Sequence, residues 1–337
     1  MRLLLLNNHR KILINTYQRL YSHTSLKPPW DVLFFGTDNF SLESLKTLHK
    51  SSLEKTSQVI RKLEVVTTSN NSYVKKYAEH HQIPIHNWPL HSPEETCKQF
   101  LVGVVVSFGN LIPKHIIEAF PLGMINVHAS LLPRWRGAAP IIHALAAGDT
   151  KTGITIMKIR PHKFDIGEII HQEEISIDEQ IKMPELHDSL AKIGAKNLLD
   201  VLKHSPSILE TARIQDSHIA TLAPRINSKM ADIDFTQQKA KDLYNLSRAL
   251  TGVYPLVTSY KGKPIKLHNI ASYTCTDDAK TIGSVVYDKN TKLISIRALD
   301  GWIHVDKLSV PGKKVMSALE FRNGYLKSCH ESNFTKK

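Results

Sequence analysis

Asn126 and His128 stand two residues apart at the end of the apolar run Met124-Ile125-Asn126-Val127-His128. In a strand, that spacing sends both side chains to one face. An amide N–H beside a titratable imidazole can polarise a carbonyl oxygen and move a proton off an attacking group. The same spacing also suits a strand end with two hydrogen-bonded polar residues. The pair alone leaves both readings open.

The elements around it must hold that run. After Pro28-Pro29, the stretch Asp31 to Thr37 reads as a buried strand entering a glycine turn, followed by a helix from Ser41 to about His49. Further strand-like runs are Leu63 to Thr67, Leu101 to Phe108 and Met124 to Val127, with helical patterns at Val74 to His80 and Pro113 to Phe120 between them. Alternation of this kind predicts an α/β domain with a doubly wound, mostly parallel, Rossmann-like sheet, whose ligands bind beyond the carboxyl ends of the strands. The lone glycines Gly36 and Gly109 match neither a dinucleotide fingerprint nor a phosphate loop, so no nucleotide is expected there. Strands at Thr152 to Ile159 and Glu168 to Ile177 bracket a loop containing Asp165, and Met183 to about His204 reads as a long amphipathic helix. From Ala231 the pattern changes. A helix from Thr236 to about Leu250 precedes short strands at Tyr260-Lys261-Gly262-Lys263, Asp288-Lys289-Asn290 and Asp300-Gly301, which suggests a small OB-like β-barrel.

The boundaries expected are a leader at 1–30, a catalytic domain at 31–206, a linker at 207–227 and a barrel at 228–330. With 42% hydrophobic and 22% charged residues in 337, the composition is that of a globular chain of about two domains. No apolar run reaches the roughly 20 residues that span a bilayer, so no membrane partner is expected.

The net charge of +13 sits at the two ends. Residues 1–30 hold five Lys and Arg and no acid, whereas 222–337 hold 19 Lys and Arg against 10 Asp and Glu. The first block, with Leu13, Tyr17, Leu20 and Tyr21 at helical spacing among basic residues, reads as a mitochondrial transit peptide. The second places a basic surface on the barrel, suited to a polyanion or simply to water. Cys97, Cys275 and Cys329 are far apart and odd in number, and the histidines are scattered, so neither a disulfide framework nor a metal site is expected.

The motifs together carry a resemblance. Asn126-x-His128-x-Ser130-Leu131-Leu132-Pro133, then Gly137, then Asp165-x-Gly167, resembles the signature of folate-dependent formyltransferases. Ser130 to Ile141, with Ala147-Gly148-Asp149 and Thr152 to Met157, is similar to the branch that acts on methionyl-tRNA, and with the leader to its mitochondrial form. The resemblance covers about residues 31 to 330. It implies transfer of a formyl group from 10-formyltetrahydrofolate to the amino group of methionyl-tRNA in the mitochondrial matrix. No metal is implied, and the chain is expected to be a monomer. Asn126, His128 and Asp165 become the expected catalytic residues: an oxyanion donor, a proton carrier, and a carboxylate that orients the imidazole.

The resemblance lays the folate along Ser130, Leu131, Leu132 and Pro133 and the loop carrying Phe108, Gly109 and Leu111. Arg134 and Arg136 flank Trp135 and could meet tRNA phosphates or local carboxylates. Arg225, Lys229, Lys261, Lys263 and Lys266 are the expected sequence-independent phosphate contacts. Two departures from bacterial members stand out. The stretch from Val65 to Tyr73 lacks their basic loop, which shifts the expected recognition toward the methionyl group, and the segment between Met157 and Asp165 is one residue longer.

Overall fold

The computed structural model describes residues 27–68, 72–276, 278–326 and 333–336. The leader expected at 1–30 lies outside them up to residue 26, as do residues 69–71 of the loop after the second strand. The chain divides into two units. The first holds the described residues up to Ala138 with Thr152–Ile175 and His187–Ala223; the second holds Ala139–Lys151, Ser176–Leu186 and the described residues from Pro224 on.

The first unit is built on a seven-stranded sheet of order β3-β2-β1-β4-β5-β6-β7. Its strands are β1 (Trp30–Gly36), β2 (Ile60–Thr67), β3 (Ile85–Asn87), β4 (Val102–Val106), β5 (Met124–His128), β6 (Lys151–Lys158) and β7 (Ile169–Ser176). Every residue of β1 and β4 is buried, the pattern of central strands covered on both faces. β1 pairs in parallel with β2 and β4, and β4 with β5. β6 then runs antiparallel to β5, which makes the sheet mostly parallel, as expected. The chain leaves β1 toward β2 and β3 and then crosses back to β4, so the strand order reverses at the seam between β1 and β4. Thr37 Oγ1 donates to the Ser107 carbonyl at 2.7 Å across it. Helix α1 (Asn39–Leu53) starts with Asp38 and Ser41 capping each other's backbone N–H, and helices α2 (Tyr73–His80), α3 (Pro93–Cys97) and α4 (Lys114–Glu118) are shorter. The long helix expected after the sheet runs over Met183–Lys203; it buries Leu190, Leu198 and Leu202, and its last turn accepts the Trp30 indole N–H at the Leu202 carbonyl, 2.7 Å away.

The second unit is a curled antiparallel sheet of order β10-β11-β12-β9-β8-β14, an OB-like half-barrel. Its strands are β8 (Leu256–Tyr260), β9 (Lys263–Cys275), β10 (Val285–Tyr287), β11 (Ile294–Arg297), β12 (Gly301–Ser309), β13 (Met316–Ser317) and β14 (Phe334–Thr335), with β13 pairing to β12. Register shifts between β9 and β12 around Val305 and Lys307 bend the long strands, as bulges do. Phe235, Leu250, Ile303, Phe321 and Phe334 fill the core. The hairpins fall where the turn residues place them, with Lys261 at φ 51° and Gly262 at φ 70° between β8 and β9. The helix expected from Thr236 begins later, at Ala240, and ends at Leu250. Thr236 is instead held in a turn by Asp234, which accepts from both its N–H and its hydroxyl. The Ala240 N–H finds its acceptor in Asp300, sixty residues on, at 2.8 Å. A cap supplied from the distant turn between β11 and β12 leaves no local signal.

Candidate functional site

β5 sets Asn126 and His128 on one face, opposite Met157 and Thr155 of β6. Asp165 joins them from the loop 160–168. That loop leaves the far end of β6, where Ile159 N–H donates to the Met124 carbonyl at 2.9 Å, and turns back along the sheet. Asp165 Oδ1 ends 3.7 Å from His128 Nδ1, with only 7% of the histidine and 11% of the aspartate side chain exposed.

The opposite ring nitrogen fixes the tautomer. His128 Nε2 lies 2.9 Å from the Trp135 carbonyl oxygen, which can only accept, so Nε2 carries a hydrogen and donates it. In the neutral ring, Nδ1 is then the atom that takes up a proton. Asp165 Oδ2 accepts the Gly137 N–H at 2.8 Å. The Asn126 side chain is partly exposed and makes no hydrogen bond among the described residues. A carbonyl laid on this face would meet an available amide N–H on one side and an imidazole Nδ1 on the other.

Backbone geometry explains two of the glycines. Gly137 sits at φ 128°, and a Cβ there would lie 2.5 Å from the Ala223 carbonyl oxygen. Gly167 leaves no room either, since a Cβ would come within 1.6 Å of the Lys158 carbonyl. Asp165 itself adopts φ 57°, a left-handed conformation that a non-glycine residue keeps only when its surroundings hold it. Arg160 and Glu168 close the base of the loop through a two-pronged ion pair, Nε to Oε2 at 2.9 Å. Burial raises the proton affinity of Glu168, but the Arg160 hydrogen bond and charge outweigh it and hold the carboxyl below its usual range.

The expected folate stretch divides sharply. Ser130 is fully buried and its hydroxyl donates to the Arg134 carbonyl at 2.7 Å; it holds the turn together. Leu132 is buried as well, whereas Leu131 and Pro133 are partly exposed. Thr155 supports the turn from β6: its hydroxyl donates to the Ser130 carbonyl at 2.6 Å and accepts from Leu132 N–H at 3.0 Å and Gln172 Nε2 at 2.8 Å. In the neighbouring loop Phe108 is a core residue, edge-on to Phe35 and Trp88. Gly109, at φ 73°, faces open space and Leu111 is half exposed. The faces left for a flat, partly apolar ligand are thus Leu111, the Gly109 backbone, Leu131 and Pro133, on adjacent loops after β4 and β5.

Arg134 is exposed, with its guanidinium 4.4 Å over the Trp135 ring. Arg136 is engaged: Nε and Nη2 both donate to Gln215 Oε1, at 3.0 and 2.8 Å. In the second unit, Arg225, Lys229, Lys261, Lys263 and Lys266 are all exposed. Lys266 shares the outer face of β9 with His268, while Ile265 and Leu267 point inward. Sequence reasoning passed over Gln215, Thr155 and Gln172. Thr155 stands within the run Thr152 to Met157 and the two glutamines stand among other polar residues; only contacts over 17 to 79 residues of separation reveal what they hold.

Residues 31–202 match the model of the formyl transferase family. The human protein named mitochondrial methionyl-tRNA formyltransferase is 40% identical over 319 residues, covering 91% of this chain and 80% of that protein. The chain belongs to the methionyl-tRNA formyltransferase family. A bacterial methionyl-tRNA formyltransferase from Coxiella burnetii is 34% identical over 87% of the chain and 95% of its own length. Residues 225–326 match the C-terminal domain of formyl transferases, so the half-barrel too is part of the family's architecture. Among solved structures, an N-formyltransferase from Helicobacter canadensis in complex with folinic acid and dTDP-3-aminofucose superposes with a TM-score of 0.60 at 19% identity, over 82% of this chain and 98% of that one. That likeness speaks to the fold. Among the described residues no group of three or more His, Cys, Asp or Glu could hold a metal ion, and no helix is long and apolar enough to cross a membrane.

Proposed function

We propose that this chain transfers the formyl group of 10-formyltetrahydrofolate to the amino group of methionyl-tRNA, giving formylmethionyl-tRNA for initiation of mitochondrial translation. The observation that carries this is the 40% identity to the human mitochondrial enzyme across 91% of the chain, which includes both formyl transferase domains. The mitochondrial relatives support a mitochondrial location, and the compartment of this reading is the matrix. The chain acts as a monomer in this reading.

The residues divide the work. Attack of the neutral amine on the formyl carbon forms the new C–N bond and puts negative charge on the formyl oxygen. Asn126 donates its amide N–H to that oxygen. His128 takes up the amine proton at Nδ1 and returns it to the folate nitrogen as the old C–N bond breaks. Asp165, 3.7 Å from Nδ1, balances the charge on the ring between those two transfers. Leu111, Gly109, Leu131 and Pro133 line the folate's path. Arg134 and the exposed basic residues Arg225, Lys229, Lys261, Lys263 and Lys266 contact tRNA phosphates, so binding weakens steeply with salt.

The test is formyl transfer by protein lacking the leader, with methionyl-tRNA, free methionine and an amino sugar offered together. Preferential formylation of methionyl-tRNA is expected. Preference for either small acceptor would reject the assignment.

A further inference from the structure

Gln215 lies far from Asn126, His128 and Asp165 in sequence, yet its side chain is 6% exposed and every polar group on it is used. Nε2 donates to the Asp165 carbonyl at 3.0 Å and to the Gly167 carbonyl at 2.8 Å. Oε1 accepts both Nε and Nη2 of Arg136. The amide can adopt only this orientation, because a guanidinium has nothing but donors and the two carbonyls nothing but acceptors.

Its partners are the two backbone segments that hold His128 and Asp165. On one side of Arg136, the Trp135 carbonyl receives the His128 Nε2 hydrogen. On the other, the Gly137 N–H reaches Asp165 Oδ2. The carbonyls of Asp165 and Gly167 belong to the turn that presents the carboxylate, in which Asp165 itself is left-handed. The flanking chain reinforces the position: Arg213 exchanges both backbone hydrogen bonds with Ile169, at 2.8 and 2.9 Å, and Ala223 N–H donates to the Arg136 carbonyl at 2.7 Å.

We propose that Gln215 is a positioning residue for formyl transfer: its amide fixes the Asp165 loop against the Trp135–Gly137 segment and so sets the distance between Asp165 and His128. It touches neither substrate. It acts through Asp165, and the assignment rests on the reaction and the role of Asp165 proposed above. A displacement of about 1 Å in such a constellation can cost roughly a hundredfold in rate.

The experiment compares wild type, Gln215→Leu, Gln215→Glu, Asp165→Ala and Gln215→Leu/Asp165→Ala, measuring kcat and KM for both substrates together with Tm. Gln215→Glu keeps the acceptor for Arg136 and removes the donors to the loop, so it separates the two halves of the clamp and guards against a leucine variant that fails to fold. Both single Gln215 variants are expected to lose roughly tenfold to a hundredfold in kcat, with KM for methionyl-tRNA and for 10-formyltetrahydrofolate within about twofold. In the Asp165→Ala background, Gln215→Leu is expected to add less than about twofold, because the group it positions is already gone. A Gln215→Glu protein with wild-type kcat, or a full additional loss in the double variant, overturns the positioning role. Wild type that fails to formylate methionyl-tRNA in the same assay overturns the reaction itself, and an Asp165→Ala variant with near-normal kcat overturns the role of Asp165. These results are distinct from a Gln215 failure.

Discussion

His128 and Asp165 face each other across 3.7 Å, yet they are held in opposite ways. His128 sits in a sheet, its strand paired on both sides by β4 and β6. Asp165 sits in a loop with a left-handed backbone, and what holds it is a set of side chains and a glycine N–H contributed by distant segments. A strand places its residues through hydrogen bonds every residue can make. A loop needs particular partners. The strand side should therefore tolerate changes in its surroundings that the loop side does not.

The sharpest way to break that contrast is to remove the proposed catalytic groups themselves. Asn126→Ala, His128→Ala and Asp165→Ala are each expected to lower kcat by at least about a hundredfold while circular dichroism and Tm stay close to wild type. Near-normal turnover in Asp165→Ala would leave the loop without a role and end the comparison. Gly137→Ala comes next, because its Cβ would press on the Ala223 carbonyl oxygen at 2.5 Å from a φ that alanine resists. A loss of roughly 1 to 3 kcal/mol in stability is expected, with kcat falling as the Gly137 N–H moves away from Asp165. Unchanged kcat in a destabilised Gly137→Ala protein would show that the loop keeps its position without that donor.

On the strand side, Thr155→Val strips the hydroxyl that serves Ser130, Leu132 and Gln172. Leaving those buried groups unpaired is expected to cost roughly 1 to 3 kcal/mol by chemical denaturation. KM for the folate should rise and kcat change little, and a large fall in kcat would contradict the tolerance claimed for the strand. The smallest effect belongs to the ion pair at the loop's base. Glu168 has a folded-state pKa below its unfolded value, so its contribution is present above the unfolded pKa and is lost as pH falls through the folded one. Between about pH 5 and about pH 3, Tm of Glu168→Gln should fall less steeply than that of wild type. Parallel profiles would mean that the pair does not stabilise the loop.

The same contrast sets what could be read in advance. Asn126 and His128 announce themselves by two-residue spacing in an apolar run, and the alternation of runs gives the parallel sheet around them. Asp165 is recognisable only through a motif, since an aspartate two residues before a glycine is ordinary turn chemistry. The roles of neighbours within the motif were less legible. Ser130 and Phe108 read as lining residues, but one turns its hydroxyl to its own chain and the other packs into the core. Arg136 reads as a partner for tRNA phosphates or for local carboxylates, and its guanidinium donates to Gln215. Residue type says what a side chain can bind; the direction it points is decided by partners that spacing does not reveal. The start of the helix at Ala240 makes the same point, since Asp300 completes it from a turn sixty residues on.

The Trp135 carbonyl has one more consequence. Because it occupies Nε2 of His128, the ring cannot work as a wire that accepts a proton at one nitrogen and releases it to solvent from the other. Whatever reaches Nδ1 must depart from Nδ1. In the proposed reaction, the amine that gives the proton and the nitrogen that receives it must therefore visit the same atom in turn, from the same side of the ring.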